Sequence, residues 1–183
     1  MSTVADQADL LASVFEQIRS QLPAEDSPLA EAFARRFYAQ VAAEDLAERG
    51  APDLCGAALS HWRYARRFVS GKSSIQIYNP RRETHGWQST HTVIEIVSED
   101  MPFLVDSITM EVNRQGLTPH LIIHPIMKIA RDADGQLLGI SEDRDDTAGN
   151  YESIIHVEVD RRTRAEHLDA LHQGLARILA DVR

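Results

Sequence analysis

Apolar positions change their period once along the chain, and the change divides it. From Val4 to Gln21 they recur at Leu10, Leu11, Val14, Phe15 and Ile18, one stripe at helical spacing. Pro23 stops this helix. Ser27-Pro28 opens a second: serine offers a cap for free amides, and proline suits the first turn. Its predicted inner face is Leu29, Phe33, Phe37 and Val41, and Gly50 and Pro52 end the stretch. A third helix is predicted from Asp53 to Val69, with Leu54, Leu59, Trp62, Ala65 and Phe68 inward and Gly71 as its breaker.

Beyond residue 72 the strand period takes over. Ile75, Ile77 and Tyr78 form a short strand that Asn79-Pro80 ends, and the polar residues 80–90 read as a loop. "HTVIEIVS" from His91 is a strong strand. The helix that follows shows Leu104, Ile108 and Val112 on one face and stops at Gly116. Thr118 to Ala130 reads as one long strand, with Leu121, Ile123, Met127 and Ile129 on one face and His120, Ile122, His124, Ile126 and Lys128 on the other. Pro125 fits only an edge or a bulge. "RDADG" is a turn, and Gln136 to Ile140 returns as a hairpin partner. "YESIIHVEVD" alternates with Ile155, Val157 and Val159 inward. Thr163 and Glu166 suggest a capping box for a last helix carrying Leu168, Leu171, Leu175, Ile178, Leu179 and Val182.

This order predicts an α+β fold. A helical N-terminal segment, 1–70, precedes a split βαβ, ferredoxin-like antiparallel sheet with helices on one face, 72–183. A last strand is expected after the final helix, so the sheet is expected to be incomplete, with an open edge that pairs with other chain.

Composition narrows the function classes. Nineteen basic against 28 acidic residues give a net charge of −9, which argues against a nucleic-acid partner. No apolar run reaches the roughly 18–20 residues that span a bilayer. The N-terminus lacks the pattern of a secretory signal. The single cysteine, Cys55, excludes an internal disulfide and a cysteine-rich zinc site. A cytoplasmic location is expected, with no nucleic-acid and no membrane partner.

No catalytic constellation stands out. No G-x-G occurs, so a dinucleotide fingerprint is absent, and P-loop, G-x-S-x-G and H-E-x-x-H patterns are missing too. His120, His124 and His156 with Glu158 were the one conceivable metal set; half-exposed strand histidines bonded to water or backbone are the plainer reading, and no metal site is assigned. The acidic loop Glu142, Asp143, Asp145 and Asp146 lacks the order of a calcium loop and reads as solvated. The most informative segment is the strand-to-helix crossing at Asp100, Met101, Pro102, Phe103 and Asp106. Backbone amides at such a helix start can receive a small carboxylate, although Asp100 is equally suited to cap the helix itself.

"HTVIEIVSEDMPFLVDSITMEVNRQGL", "HLIIHPIMKIARDADGQLLGI" and "ESIIHVEVDR", with the upstream "EAFARRFYAQVAAEDLAERGAPDLCGAALSHWRYARRF" and "IQIYNP", resemble the N-terminal region of the large bacterial NAD-dependent glutamate dehydrogenases. The resemblance runs from about residue 10 to the end. It implies an ACT-like regulatory fold, a much longer polypeptide whose downstream part holds the NAD site, and no catalytic residue or cofactor in this chain. The implied partners are that downstream part, further copies in a homo-oligomer, and an amino-acid effector; a free-standing sensor for an amino acid or small carboxylate is the alternative. Many amino-acid-binding ACT modules carry Asp-x-Pro-Gly at this loop. Here Phe103 stands in the glycine's place, and it is expected to fill the pocket, which shifts the expectation towards packing or subunit contact.

Overall fold

The computed structural model describes residues 4–141 and 149–183; the acidic loop Glu142, Asp143, Asp145 and Asp146 lies outside them. Four helices come first: α1 (Val4–Gln21), α2 (Ser27–Tyr38), α3 (Ala43–Ala47) and α4 (Ala51–Ala65). Then follow β1 (Ser74–Tyr78), a single turn α5 (Arg82–His85), β2 (Thr92–Glu99), α6 (Leu104–Arg114), β3 (Pro119–Ile123), β4 (Ile126–Arg131), β5 (Leu137–Ser141), β6 (Asn150–Val159) and α7 (Ala165–Asp181).

The sheet is antiparallel throughout, in the order β1-β2-β6-β4-β5, with β3 also paired to β6. β3 and β4 are two pieces of the predicted long strand. β3 lies along the C-terminal half of β6 and β4 along its N-terminal half. Pro125, which has no amide proton to give, sits at the break, and its carbonyl accepts from Ile154 N at 3.1 Å. The position beside β2, where a strand after the last helix would pair, is held by β1.

Both faces of this sheet are covered. Ile94, Ile96, Ile155, Val157 and Val159 pack under α6 and α7, through Leu104, Ile108, Val112, Leu171, Leu175 and Leu179. On the opposite face Val97, Leu121, Ile123, Met127, Ile129 and Ile154 share one core with Val14, Ile18, Phe33, Phe37, Leu59 and Trp62 of the N-terminal helices. β2 is therefore buried residue after residue rather than alternately.

Four helix ends differ from the sequence reading. α2 stops at Tyr38, and the short α3 brings Leu46 into the core instead of continuing the helix to Gly50. α4 stops at Ala65, because Arg66–Phe68 pairs with the β5 edge: Phe68 N donates to Gly135 O and Leu137 N to Arg66 O. Neither Ser27 nor Thr163 caps; the N-cap positions are Asp26 and Arg164, neither with a side-chain capping hydrogen bond, and Glu166 pairs with Arg164 at 3.2 Å. The loop over residues 80–90 includes α5 and the buried Trp87, which lies against α4 where Gly56 leaves room; a β-carbon there would run into the indole.

Candidate functional site

The strand-to-helix crossing is built as follows. Asp100 N donates to Tyr151 O, and Asp100 Oδ1 accepts from Ser153 Oγ at 2.7 Å, so Asp100 prolongs the β2–β6 pairing and does not cap α6. The N-cap is Phe103, with left-handed backbone (φ 66°, ψ 10°). Its side chain is 74% exposed, so it does not fill a pocket. The loop keeps the backbone conformation a glycine favours while turning the ring to solvent. Met101 packs against the core beneath α6 and α7, Pro102 is exposed, and Asp106 is exposed in the first turn, where its charge suits the helix dipole.

The histidines considered from sequence are held in separate hydrogen-bonded groups. A bulge between Pro119 and Leu121 takes His120 out of register; its Nε2 meets Asp160 Oδ1 at 2.7 Å and its ring lies 4.4 Å from that of His91. His124, at the Pro125 break, bonds Ser153 Oγ at 3.0 Å, and burial lowers its pKa. His156 and Glu158 point instead into the face under the N-terminal helices, opposite Ile123 and Leu121. The set His120, His124, His156 and Glu158 does not converge.

A cleft of about 680 Å³ opens on that same face, between the α3–α4 junction and the segment 80–91. Its floor holds His156 and Glu158, and Arg49, Arg81, Arg82, Arg161 and His91 stand around it. Glu158 Oε2 accepts from Arg49 at 2.9 Å and lies 3.2 Å from His91 Nδ1. Burial opposes its charge, yet the neighbouring His156 and Arg49 hold its carboxyl down at about 2. Arg82 pairs with Asp53 at 3.1 Å, and Arg161 donates to Ser89 O. Glu48, Asp53 and Glu83 line the cleft as well, so its arginines face carboxylates on several sides.

Behind the cleft floor lies a row of buried polar groups. Glu95 of β2 faces His156 of β6 in register, and His61 descends from α4 onto both. All three are wholly buried. Tyr78 Oη donates to Glu95 Oε1 at 2.9 Å, and His61 Nε2 lies 3.3 Å from Ile96 O. Burial raises Glu95, and burial with the neighbouring His156 lowers His61 to about 3. Sequence reasoning missed this row. Of its members only His156 was singled out from sequence; the unused signal was Glu95, a lone carboxylate inside the apolar run "TVIEIV".

No helix among the described residues is long and apolar enough to cross a membrane. The family described as "Glutamate dehydrogenase, ACT1 domain" matches residues 33–175. The NAD-specific glutamate dehydrogenase of Halomonas elongata is 40% identical over 176 residues, 96% of this chain and 11% of that protein. The enzyme of the same description from Pseudomonas aeruginosa is 35% identical over 185 residues, 99% of this chain and 11% of its own length. That of Mycobacterium tuberculosis is 26% identical over 133 residues, 72% of this chain and 8% of its length. The chain thus spans about a tenth of the curated relatives it matches, and it belongs to the ACT1-domain family of the NAD-specific glutamate dehydrogenases.

Proposed function

We propose that this chain is the non-catalytic regulatory and assembly region of a large NAD-specific glutamate dehydrogenase. In that protein the downstream part binds NAD and converts glutamate to 2-oxoglutarate and ammonium, and this region docks onto it and onto other copies. The observation that carries the reading is an apolar surface left uncovered beside well-packed cores. Phe103, the N-cap of α6, and Met110, within that helix, are 74% and 73% exposed. Ile126 and Tyr151, on the α6–α7 side of the sheet, are about half exposed. Exposed large apolar groups on one side of a domain mark an interaction surface.

In the enzyme at full length, Phe103→Ser combined with Met110→Ser and Ile126→Ser is expected to lower the sedimentation coefficient and the turnover of glutamate together, with circular dichroism unchanged. Unaltered assembly and turnover in that triple variant would remove the reading.

A second reading is effector binding by a small carboxylate in the cleft, where Arg81 and Arg161 are the cations left for it once Arg49 pairs with Glu158 and Arg82 with Asp53. Glutamate and 2-oxoglutarate at millimolar concentration then raise the melting temperature, since a ligand that prefers the folded state stabilises it. Arg81→Ala together with Arg161→Ala abolishes the rise. No shift with either compound leaves assembly as the sole role.

A further inference from the structure

We propose that His61, Glu95 and His156 form a three-ligand site for a divalent transition metal of the zinc class, which clamps α4 to the centre of the sheet. One ligand atom from each residue lies within 4.8 Å of the others. Around zinc, with bonds near 2.0–2.2 Å, ligand atoms stand about 3.3–3.6 Å apart, so side-chain adjustments of about 1 Å close the site.

The argument rests on which atoms have partners. Among buried polar atoms without a hydrogen bond are His61 Nδ1, Glu95 Oε2 and both ring nitrogens of His156. A protein core rarely leaves such groups unpaired, because each has lost its water. Here four of them belong to three adjoining residues. At the other end of each side chain stands a group of the kind that holds a metal ligand in place. His61 Nε2 faces the carbonyl of Ile96 at 3.3 Å. Glu95 Oε1 accepts from Tyr78 Oη, which is itself bonded to Ser60 Oγ at 2.6 Å. His156 Nε2 makes no hydrogen bond, and Glu158 Oε1 stands 3.5 Å away, within reach once the ring shifts onto a metal. Carbonyl behind histidine, hydroxyl behind carboxylate and carboxylate behind histidine are the supports that set the tautomer and orientation of metal ligands. The Phe37 ring meets His61 and His156 edge-on at 5.5 and 5.7 Å and fixes both imidazoles.

Two imidazoles and one carboxylate match zinc, and they match ferrous iron in the facial arrangement. A dication also compensates the carboxylate charge of Glu95 in the core, beyond what the Tyr78 hydroxyl offers. His156 also borders the cleft, although its ring nitrogens are buried. The site spans α4, β2 and β6, three elements distant in sequence.

The protein at its full encoded length, stripped with a strong chelator and reloaded with Co(II), tests this. Expected are one equivalent of cobalt retained per chain through gel filtration, a visible d–d absorption, its displacement by Zn(II), and a higher melting temperature with either ion. His61→Gln and His156→Gln lose the retained cobalt and the melting shift. Tyr78→Phe keeps the stoichiometry at saturation but weakens affinity about 10–100-fold, as loss of a supporting hydrogen bond does. If the histidine variants do not fold, the unaltered protein still decides: failure to retain cobalt or zinc, with no melting response, overturns the proposal. Cobalt held with an unchanged spectrum in a folded His61→Gln or His156→Gln variant overturns it as well.

Discussion

Phe103 keeps a left-handed backbone (φ 66°) in a non-glycine residue, and its ring gains little burial in return. Such a conformation costs about 1–3 kcal/mol in a side-chain-bearing residue. Glycine removes the strain but adds about 0.5–1 kcal/mol of unfolded-state entropy. Phe103→Gly is therefore expected to stabilise the chain by about 1 kcal/mol, read as a higher urea midpoint at constant slope. A loss of stability would mean that the ring packs more than its exposure indicates. An aromatic retained against its own backbone preference fits a residue used at a contact, so the same substitution should weaken assembly of the full-length enzyme. Cys55 makes a second residue-scale case. It is wholly buried, and burial pushes its thiol up to about 11. Thiolate is the reactive form, so at pH 8 iodoacetamide should leave Cys55 unmodified in the folded chain and label it in denaturant. Rapid labelling under native conditions would place α4 in an open conformation.

Between elements, the clearest polar clamp joins β4 to β6. Arg131 Nε and Nη2 each meet a Glu152 carboxylate oxygen at 2.7 Å, and Nη1 donates to Gly135 O at 2.9 Å, with both residues largely buried. Arg131→Met leaves a buried carboxylate unpaired and is expected to cost about 3–5 kcal/mol. The double change Arg131→Met, Glu152→Met should recover most of that in the same denaturant titration; if the two losses simply add, the pair is not coupled. The elements themselves were legible where pattern and punctuation agreed. α1, α6 and β1 follow their apolar spacing, and Gly116 ends α6 with positive φ. What escaped the sequence came from packing between distant segments. Arg66–Phe68 left the helix period because the β5 edge offered backbone partners. Trp87 looked like part of a polar loop because nothing nearby announces Gly56 as its seat. The cleft and the buried row were hidden for the same reason: Arg49, His61, Glu95 and His156 converge only when the helical layer closes on the sheet.

For the whole molecule, the decisive feature is that the N-terminal helices and the sheet share one core. Leu121, Ile123, Met127, Ile129, Ile154 and Val97 share their core with residues of α1 to α4 and with Phe68. A chain starting at residue 72 would expose that whole face, about six large side chains, at roughly 1.5–3 kcal/mol each of lost burial. Typical domains have only 5–15 kcal/mol in hand. It would also leave Glu95, His156 and Glu158 facing solvent on an otherwise apolar sheet. The segment 72–183 by itself is therefore expected to bind a hydrophobic dye, lose near-ultraviolet dichroism and associate, while residues 1–183 unfold in one transition seen alike by tryptophan fluorescence and far-ultraviolet dichroism. Trp62 and Trp87 report on the helical layer and on its seam with the 80–90 loop, so a separately melting helical segment would make the two probes diverge. Coincident transitions, with a collapsed truncation, would mean that a signal arriving at the cleft reaches the α6 surface through one cooperative body.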